Sequence, residues 1–253
     1  RAVGTLRITD FDGSPWIEPG TWPLASGSIA LDARRDAFGL DGTIVSTALG
    51  QGQLRVQGAG RWVEPALEIS SLRAWLPRTG ATVSVAGSVR FGEADPVLDL
   101  TGEWSNLRWP LEGEAVVDSP LGTVALQGGL PYTFEVQAVA QAPELPRADF
   151  TAAGSLDREQ VVLDRFDGRL MDGRLRGSGR LAWTGAQPWS ARLDGERLDI
   201  ATVRPDLTGR VTFAAAIEGN GFGPEAPWTA RVASISGTVR GRALTGRGEV
   251  RHR

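Results

Sequence analysis

The sequence has 253 residues and a formal net charge of -3, with 33 Gly, no Cys and a single His, His252, next to the last residue. All 27 basic residues are Arg, so a lysine Schiff base is excluded. Because there is no Cys, cysteine nucleophiles, thiolate metal sites and disulfides are excluded as well. The nearly balanced charge predicts no nucleic-acid partner, and we expect neither an enzyme nor a bound cofactor or metal.

Apolar and polar residues alternate along most of the chain, which is the pattern of a sheet with one apolar and one polar face. Residues 65–76 are the one segment that also fits a helix, and we favour a strand there. The alternation is clearest in residues 82–91, 132–137 and 211–218. Counting such runs predicts 16 to 18 short strands.

Five Asp-Gly pairs predict tight hairpin turns, because this dipeptide suits the positive φ angles of type I′ turns. They occur at residues 12–13, 41–42, 167–168, 172–173 and 194–195. Turns between successive strands predict antiparallel pairing of strands that are neighbours in sequence.

Loose repeats run through the sequence, such as residues 188–193 (PWSARL), echoed by residues 227–232 (PWTARV). Recurrence on this scale favours a solenoid-like stack of strands over a closed globular core. No linker divides the chain, and both ends resemble strand interiors. We therefore expect residues 1–253 to be one continuous segment, an internal fragment of a longer protein.

Few residues suggest a catalytic, nucleotide-binding or metal-binding site. The glycines of residues 219–223 are followed by residues 224–228 (PEAPW), which cannot supply the helix that a nucleotide-binding loop requires. The carboxylate pairs Asp10 and Asp12, and Asp164 and Asp167, lack the spacing of a calcium loop.

Arginines and tryptophans leave more open alternatives. The densest basic run is predicted to be a solvated face, and contact with phosphate headgroups is the alternative; it comprises Arg165, Arg169, Arg174, Arg176 and Arg180. Trp104 with Trp109, and Trp183 with Trp189, either plug the ends of a core or border an apolar groove.

Three segments, residues 102–111, 167–179 and 205–211, resemble segments of the TamB family of AsmA-like proteins, and the order and density of these motifs carry the resemblance. The resemblance implies an all-β fold, an elongated, solenoid-like curled antiparallel sheet (a β-taco) with an apolar groove. It also implies a periplasmic location in a Gram-negative bacterium, with the full-length protein anchored in the inner membrane.

The function implied by this resemblance is a conduit that shields phospholipid acyl chains between the two membranes. The full-length protein would meet an outer-membrane partner of the Omp85 type, TamA. A scaffold for outer-membrane β-barrel assembly and secretion by strand addition is the alternative.

Alternation selects most of the residues expected to line the groove, and Trp183 is added as a tryptophan at its border. The full set is Val83, Val85, Val89, Phe91, Phe134, Val136, Trp183, Val211, Phe213 and Ile217.

Overall fold

Alternating side chains and short turns fold the chain into β-strands that pair with their neighbours in sequence. The structure, a computed structural model, describes residues 2–11, 25–34, 36–46, 52–92, 95–109, 111, 115–142, 145–221 and 226–252. The chain divides into two units, Arg1–Gly129 and Leu130–Arg253. The expectation of one continuous segment over residues 1–253 stays a prediction.

The first unit contains eight strands: β1 (Ala2–Phe11), β2 (Ala25–Arg34), β3 (Ala37–Ser46), β4 (Gln53–Val63), β5 (Ala66–Leu76), β6 (Ala81–Arg90), β7 (Val97–Trp109) and β8 (Val117–Gly128). Within this unit successive strands pair antiparallel, from β1–β2 to β7–β8.

The second unit also contains eight strands: β9 (Tyr132–Ala142), β10 (Leu145–Leu156), β11 (Gln160–Leu170), β12 (Gly173–Ala182), β13 (Pro188–Asp199), β14 (Arg210–Asn220), β15 (Trp228–Val239) and β16 (Arg242–His252). These strands form an antiparallel meander of the same kind. A single-turn 3-10 helix, Ile200–Thr202, lies between β13 and β14.

Neither meander closes on itself, and several strand pairs contain a register shift, for example β4–β5, β5–β6, β11–β12 and β13–β14. An extra residue in one strand of a pair bends that strand and increases its twist, so repeated shifts curl a sheet. The predicted all-β, curled antiparallel fold is confirmed, and the 16 strands agree with the predicted number.

Residues 66–76 of the segment 65–76 form a strand, as favoured from the sequence, and a register shift explains why the segment also fitted a helix. Ile69 pairs with Gly87 and Leu72 pairs with Val85, although the two apolar residues are three apart in sequence. The shift between them keeps both on one face of the sheet. Apolar residues three apart are also typical of a helix.

The Asp-Gly prediction locates a turn at one position, displaced by one residue because Gly173 already begins β12, and is wrong at three. Met171 and Asp172 both have φ of 52°, and they form the tight turn between β11 and β12. Residues 41–42, 167–168 and 194–195 instead lie inside strands β3, β11 and β13. Their glycines face the apolar side, where large neighbours leave no room for a side chain. The pair at residues 12–13 lies outside the described residues.

Gly195 shows this most clearly, because the ring of Phe213 lies directly over it. A Cβ on Gly195 would lie 2.5 Å from Cε1 of Phe213 and 2.9 Å from Cδ1 of Leu198. Glycine is therefore required here by a close approach rather than by a turn.

Candidate functional site

In the first unit, cross-strand register places apolar residues and glycines together on one face. One row crosses six strands through Leu40, Gly58, Leu72, Val85, Gly102 and Val124. Gly58 separates two leucines, and a Cβ there would lie 3.1 Å from the side chains of Leu40 and Leu72. Large apolar side chains and glycines thus share this row and cover the sheet with apolar surface.

The second unit has a face of the same kind. One row crosses all eight strands through Phe134, Gly154, Leu163, Gly179, Ala191, Ile217, Ala230 and Val250. The neighbouring row contains Val136, Ala152, Phe166, Gly177, Leu193, Ala215, Val232 and Gly248. No charged residue occurs in either row.

These apolar faces are only half-buried. Among the described residues, seven hydrophobic residues are buried, and no side chain is fully buried. Leu76 and Ala81, with 7% and 3% exposure, form a cluster of buried residues, and Leu54 and Leu111 pack against it. A sheet packed on a second layer would bury most of one face. The apolar faces therefore have no covering layer in the described part of either unit.

The predicted lining residues of the first unit lie on its apolar face. Val83, Val85 and Val89 occupy alternate positions along β6, and Val83 is 36% exposed. Phe91 follows β6 and is 42% exposed, and its ring centroid lies 5.6 Å from that of Trp62. Phe91 thus lies at the edge of the face, beyond the end of its strand.

The predicted lining residues of the second unit also share one face, with differences in burial. The register places Phe134, Val136, Val211, Phe213 and Ile217 on the apolar side. Val211 is only 8% exposed because it pairs with Leu198, itself 4% exposed, and it offers little surface. The other four are half-buried.

Trp183 is the outlying member of the predicted set. It follows the end of β12, is 42% exposed, and donates its Nε1 hydrogen to the carbonyl oxygen of Arg158 at 2.8 Å. The structure therefore places Trp183 at the edge of the sheet, next to the β10–β11 turn.

Sequence reasoning missed a concave part of this face in the second unit. A depression of about 380 Å³ is lined mainly by apolar residues, among them Val161, Leu163, Phe166, Leu175, Leu181 and Leu193. A register shift between Leu163 and Phe166 interrupts the alternation, and glycines occupy three of the five apolar-face positions of β12, residues 173, 177 and 179. The alternation of Leu175 and Leu181 with arginines was the signal that could have revealed the site.

The tryptophans border the apolar faces and do not plug a closed core. Trp104 is half-buried and donates from Nε1 to Oγ of Ser119 at 2.8 Å. Trp189, also half-buried, donates from Nε1 to the carbonyl oxygen of Gly221 at 3.0 Å. Trp109 is 69% exposed. An indole with an apolar ring and a satisfied N–H is suited to such a boundary.

The opposite face of the second unit is polar and charged. The five arginines between residues 165 and 180 are all exposed, as predicted. Arg174 donates from Nε to Oδ1 of Asp167 at 2.7 Å, and this hydrogen bond, with the charges of Arg174, Arg176 and Arg165, holds the pKa of Asp167 below its usual value. Hydrogen bonds from Arg251 and Arg231 likewise lower the pKa of Glu249. The Arg174–Asp167 and Arg231–Glu249 pairs join neighbouring strands, whereas Arg251 and Glu249 lie on the same strand.

The remaining candidates do not assemble a chemical site. Asp164 and Asp167 lie on a strand, and in the described part of the chain no group of three His, Asp or Glu residues could hold a metal ion. Asp12 lies outside the described residues, as do Phe222 and Gly223 of the glycine-rich segment 219–223, whose residues 219 and 220 end strand β14. Within the described ranges, no helix is long and apolar enough to cross a membrane.

Comparison with known families gives one match. Residues 78–253, more than two thirds of the chain, match the family model described as "TamB, N-terminal domain". The match covers both apolar faces from β6 onward and includes the three segments that carried the resemblance. No solved structure matches the chain.

Proposed function

Because the chain belongs to the TamB family, whose members act in the envelope of Gram-negative bacteria, we propose that it is a lipid conduit. In this proposal the apolar faces of its sheets shield phospholipid acyl chains from water. The observation that carries the proposal is an apolar sheet face with no covering layer in the described residues of either unit.

The free energy of exposing acyl chains explains why such a face is useful. Two acyl tails contain about 30 methylenes, and at about 0.8 kcal/mol each their exposure to water costs on the order of 20 kcal/mol. A continuous apolar surface removes most of this barrier without a specific pocket. Rows of Val, Leu, Phe and Gly without charges provide such a surface.

Strand addition during outer-membrane β-barrel assembly is the second candidate, and the pairing of the strands favours the lipid conduit over it. In the second unit, β10 to β15 each pair along both edges. The same holds for β2 to β7 in the first unit. A client strand needs an unpaired edge, whereas an acyl chain needs only the apolar face.

The proposed activity involves no catalysis and no cofactor. The composition supports this proposal, since the chain has no Cys and no Lys, and its one His is next to the last residue. We also propose that this segment lies in the periplasm, within a full-length protein that is anchored in the inner membrane and meets TamA at the outer membrane.

Site-specific photocrosslinking tests the conduit. A photoreactive amino acid replaces Val85 or Phe213 on the apolar faces, and the protein is irradiated in cells and analysed for attached phospholipid. Matched controls carry the same amino acid on the polar face of the same strands, at Ser84 and Ala216. We expect lipid adducts from the apolar positions only.

Equal adducts from both faces would show non-specific contact and refute the conduit. Adducts with outer-membrane proteins in place of lipid, from the same two apolar positions, would favour the assembly scaffold.

A further inference from the structure

One edge of the second unit is aromatic on its apolar face. This edge is the border formed by strand ends, where β12 ends and β13 begins, and is not an unpaired outer strand. Its row contains Leu181, Trp189, Gly219, Trp228 and His252. The rings of Trp228 and His252 stack with centroids 5.9 Å apart. A Cβ on Gly219 would lie 2.6 Å from Cζ2 of Trp189, so the indole lies over this glycine. Aromatic rings of this kind prefer the boundary between apolar and aqueous surroundings.

The adjacent row, one residue further from the strand ends, lies on the opposite face of the sheet. It contains two arginines, two hydroxyl-bearing residues and one glutamate. Register aligns Arg180, Ser190, Glu218, Thr229 and Arg251 across five strands. These residues and Arg231 contribute to a depression of about 660 Å³. Its lining has three arginines and one glutamate, an excess of positive charge that favours an anionic ligand.

The polar and the apolar depression meet at this edge. Arg180, Trp189 and Ser190 line both of them, although their side chains point to opposite faces of the sheet. Arg180 is two residues before the end of β12, which is about 7 Å along a strand. A ligand with an apolar part and an anionic part could therefore occupy both depressions by crossing the edge.

Arg180 differs from the other arginines of this depression in its charge environment. Arg231 lies 3.0 Å from Oε1 of Glu218 and 3.1 Å from Oε2 of Glu249, and Arg251 also pairs with Glu249. Arg180 has no carboxylate partner among the described residues, and its cross-strand neighbour is the hydroxyl-bearing Ser190. A guanidinium matches the geometry of phosphate oxygens and binds them through two N–H groups.

We propose that Arg180, together with Ser190, binds the phosphate of a phospholipid headgroup at this edge. The acyl chains of the same lipid then lie in the apolar depression of about 380 Å³. The inference rests on the proposed function, because it assigns a headgroup site to the face that takes the acyl chains. A free phosphate ion has the same charge chemistry, and the choice of probes separates the two ligands.

The test measures binding of three probes to the purified chain by calorimetry. The probes are dioctanoyl-phosphatidylglycerol, dioctanoylglycerol, which lacks the phosphate, and inorganic phosphate. The variant is Arg180→Gln, and the control is Arg210→Gln, which removes an exposed arginine from the same face at the far end of β14. We expect Arg180→Gln to weaken phosphatidylglycerol binding by about tenfold, the loss of one charge-assisted hydrogen-bonded contact, and to leave dioctanoylglycerol binding unchanged.

Arg180→Lys keeps the charge but loses the two-point geometry, so we expect a smaller loss of about threefold. Thermal melts of all three variants should match the parent, since Arg180 has no carboxylate partner in the described residues. A much lower melting temperature of the two Arg180 variants would assign Arg180 a structural role and overturn the headgroup site.

The remaining outcomes of the binding measurements either distinguish the two ligands or refute a proposed site. Unchanged phosphatidylglycerol binding in Arg180→Gln, with intact dioctanoylglycerol binding, would overturn the headgroup site and leave the conduit standing. Failure of the parent chain to bind either lipid would overturn the conduit itself. Binding of inorganic phosphate as tightly as phosphatidylglycerol, lost in Arg180→Gln, would identify a site for free anions and refute the lipid assignment.

Discussion

Replacement of Phe213 by aspartate distinguishes an uncovered apolar face from a closed core. The ring lies over Gly195 and is half-buried. Full burial of a Phe side chain contributes about 1.5–3 kcal/mol, so half of this packing corresponds to roughly 1–1.5 kcal/mol. On an open face the new carboxylate stays hydrated, and we expect Phe213→Asp to lower the free energy of unfolding by roughly 1–2 kcal/mol. In a dry core an unpaired charge would raise the loss above roughly 4 kcal/mol.

The assay combines chemical denaturation with lipid crosslinking from Ile217, four residues further along the apolar face of β14. We expect Phe213→Asp to remain folded and to reduce lipid adducts at Ile217 severalfold, because a charge beside the acyl chain requires desolvation. Ala216→Asp, on the polar face of the same strand, should change neither quantity. A loss of folding free energy above roughly 4 kcal/mol, or undiminished adducts in a folded variant, would refute the reasoning.

Three further outcomes follow from the geometry. The arginine partners of Asp167 lower its pKa in the folded chain, so its stabilisation is present above the unfolded pKa of about 3.9 and is lost as pH falls through the folded value. The difference in melting temperature between the parent and Asp167→Asn should therefore be constant from pH 7 to 5 and shrink below pH 4; a constant difference down to pH 2 would contradict this. Gly122→Ala places a Cβ in steric overlap with the indole ring of Trp104 and should cost about 1–3 kcal/mol in unfolding free energy. Gly248→Ala, which meets no atom within 4 Å, serves as its control, and equal effects of the two substitutions would be inconsistent with the packing. Dialysis against EDTA should leave the melting curve unchanged, and a lower melting temperature would reveal a metal site that the composition does not predict.

Alternation alone determined the fold class and much of the apolar face. Val83, Val85 and Val89 alternate strictly with polar or small residues, and a period of two permits only one assignment of faces. The absence of Lys and Cys likewise limits the chemistry that the chain can perform, whatever its fold. The inference of the fold class succeeds because it depends on neighbours one and two residues away in the chain.

The register of the strands and the close approaches between them could be determined only from the tertiary structure. The glycines at residues 42, 168 and 195 look like turn residues locally, but each lies opposite a large side chain that is distant in sequence. Leu163 and Phe166 share one face only because a register shift lies between them.

The edge of the second unit gives the same lesson for function. Arg180 and Trp189 belong to different strands, and their significance depends on the alignment of β12 with β13. A linear sequence records which face a residue prefers, through the polarity of its side chain. It does not record which residue of the next strand lies beside it, since that is set by hydrogen bonds between strands and by packing across them.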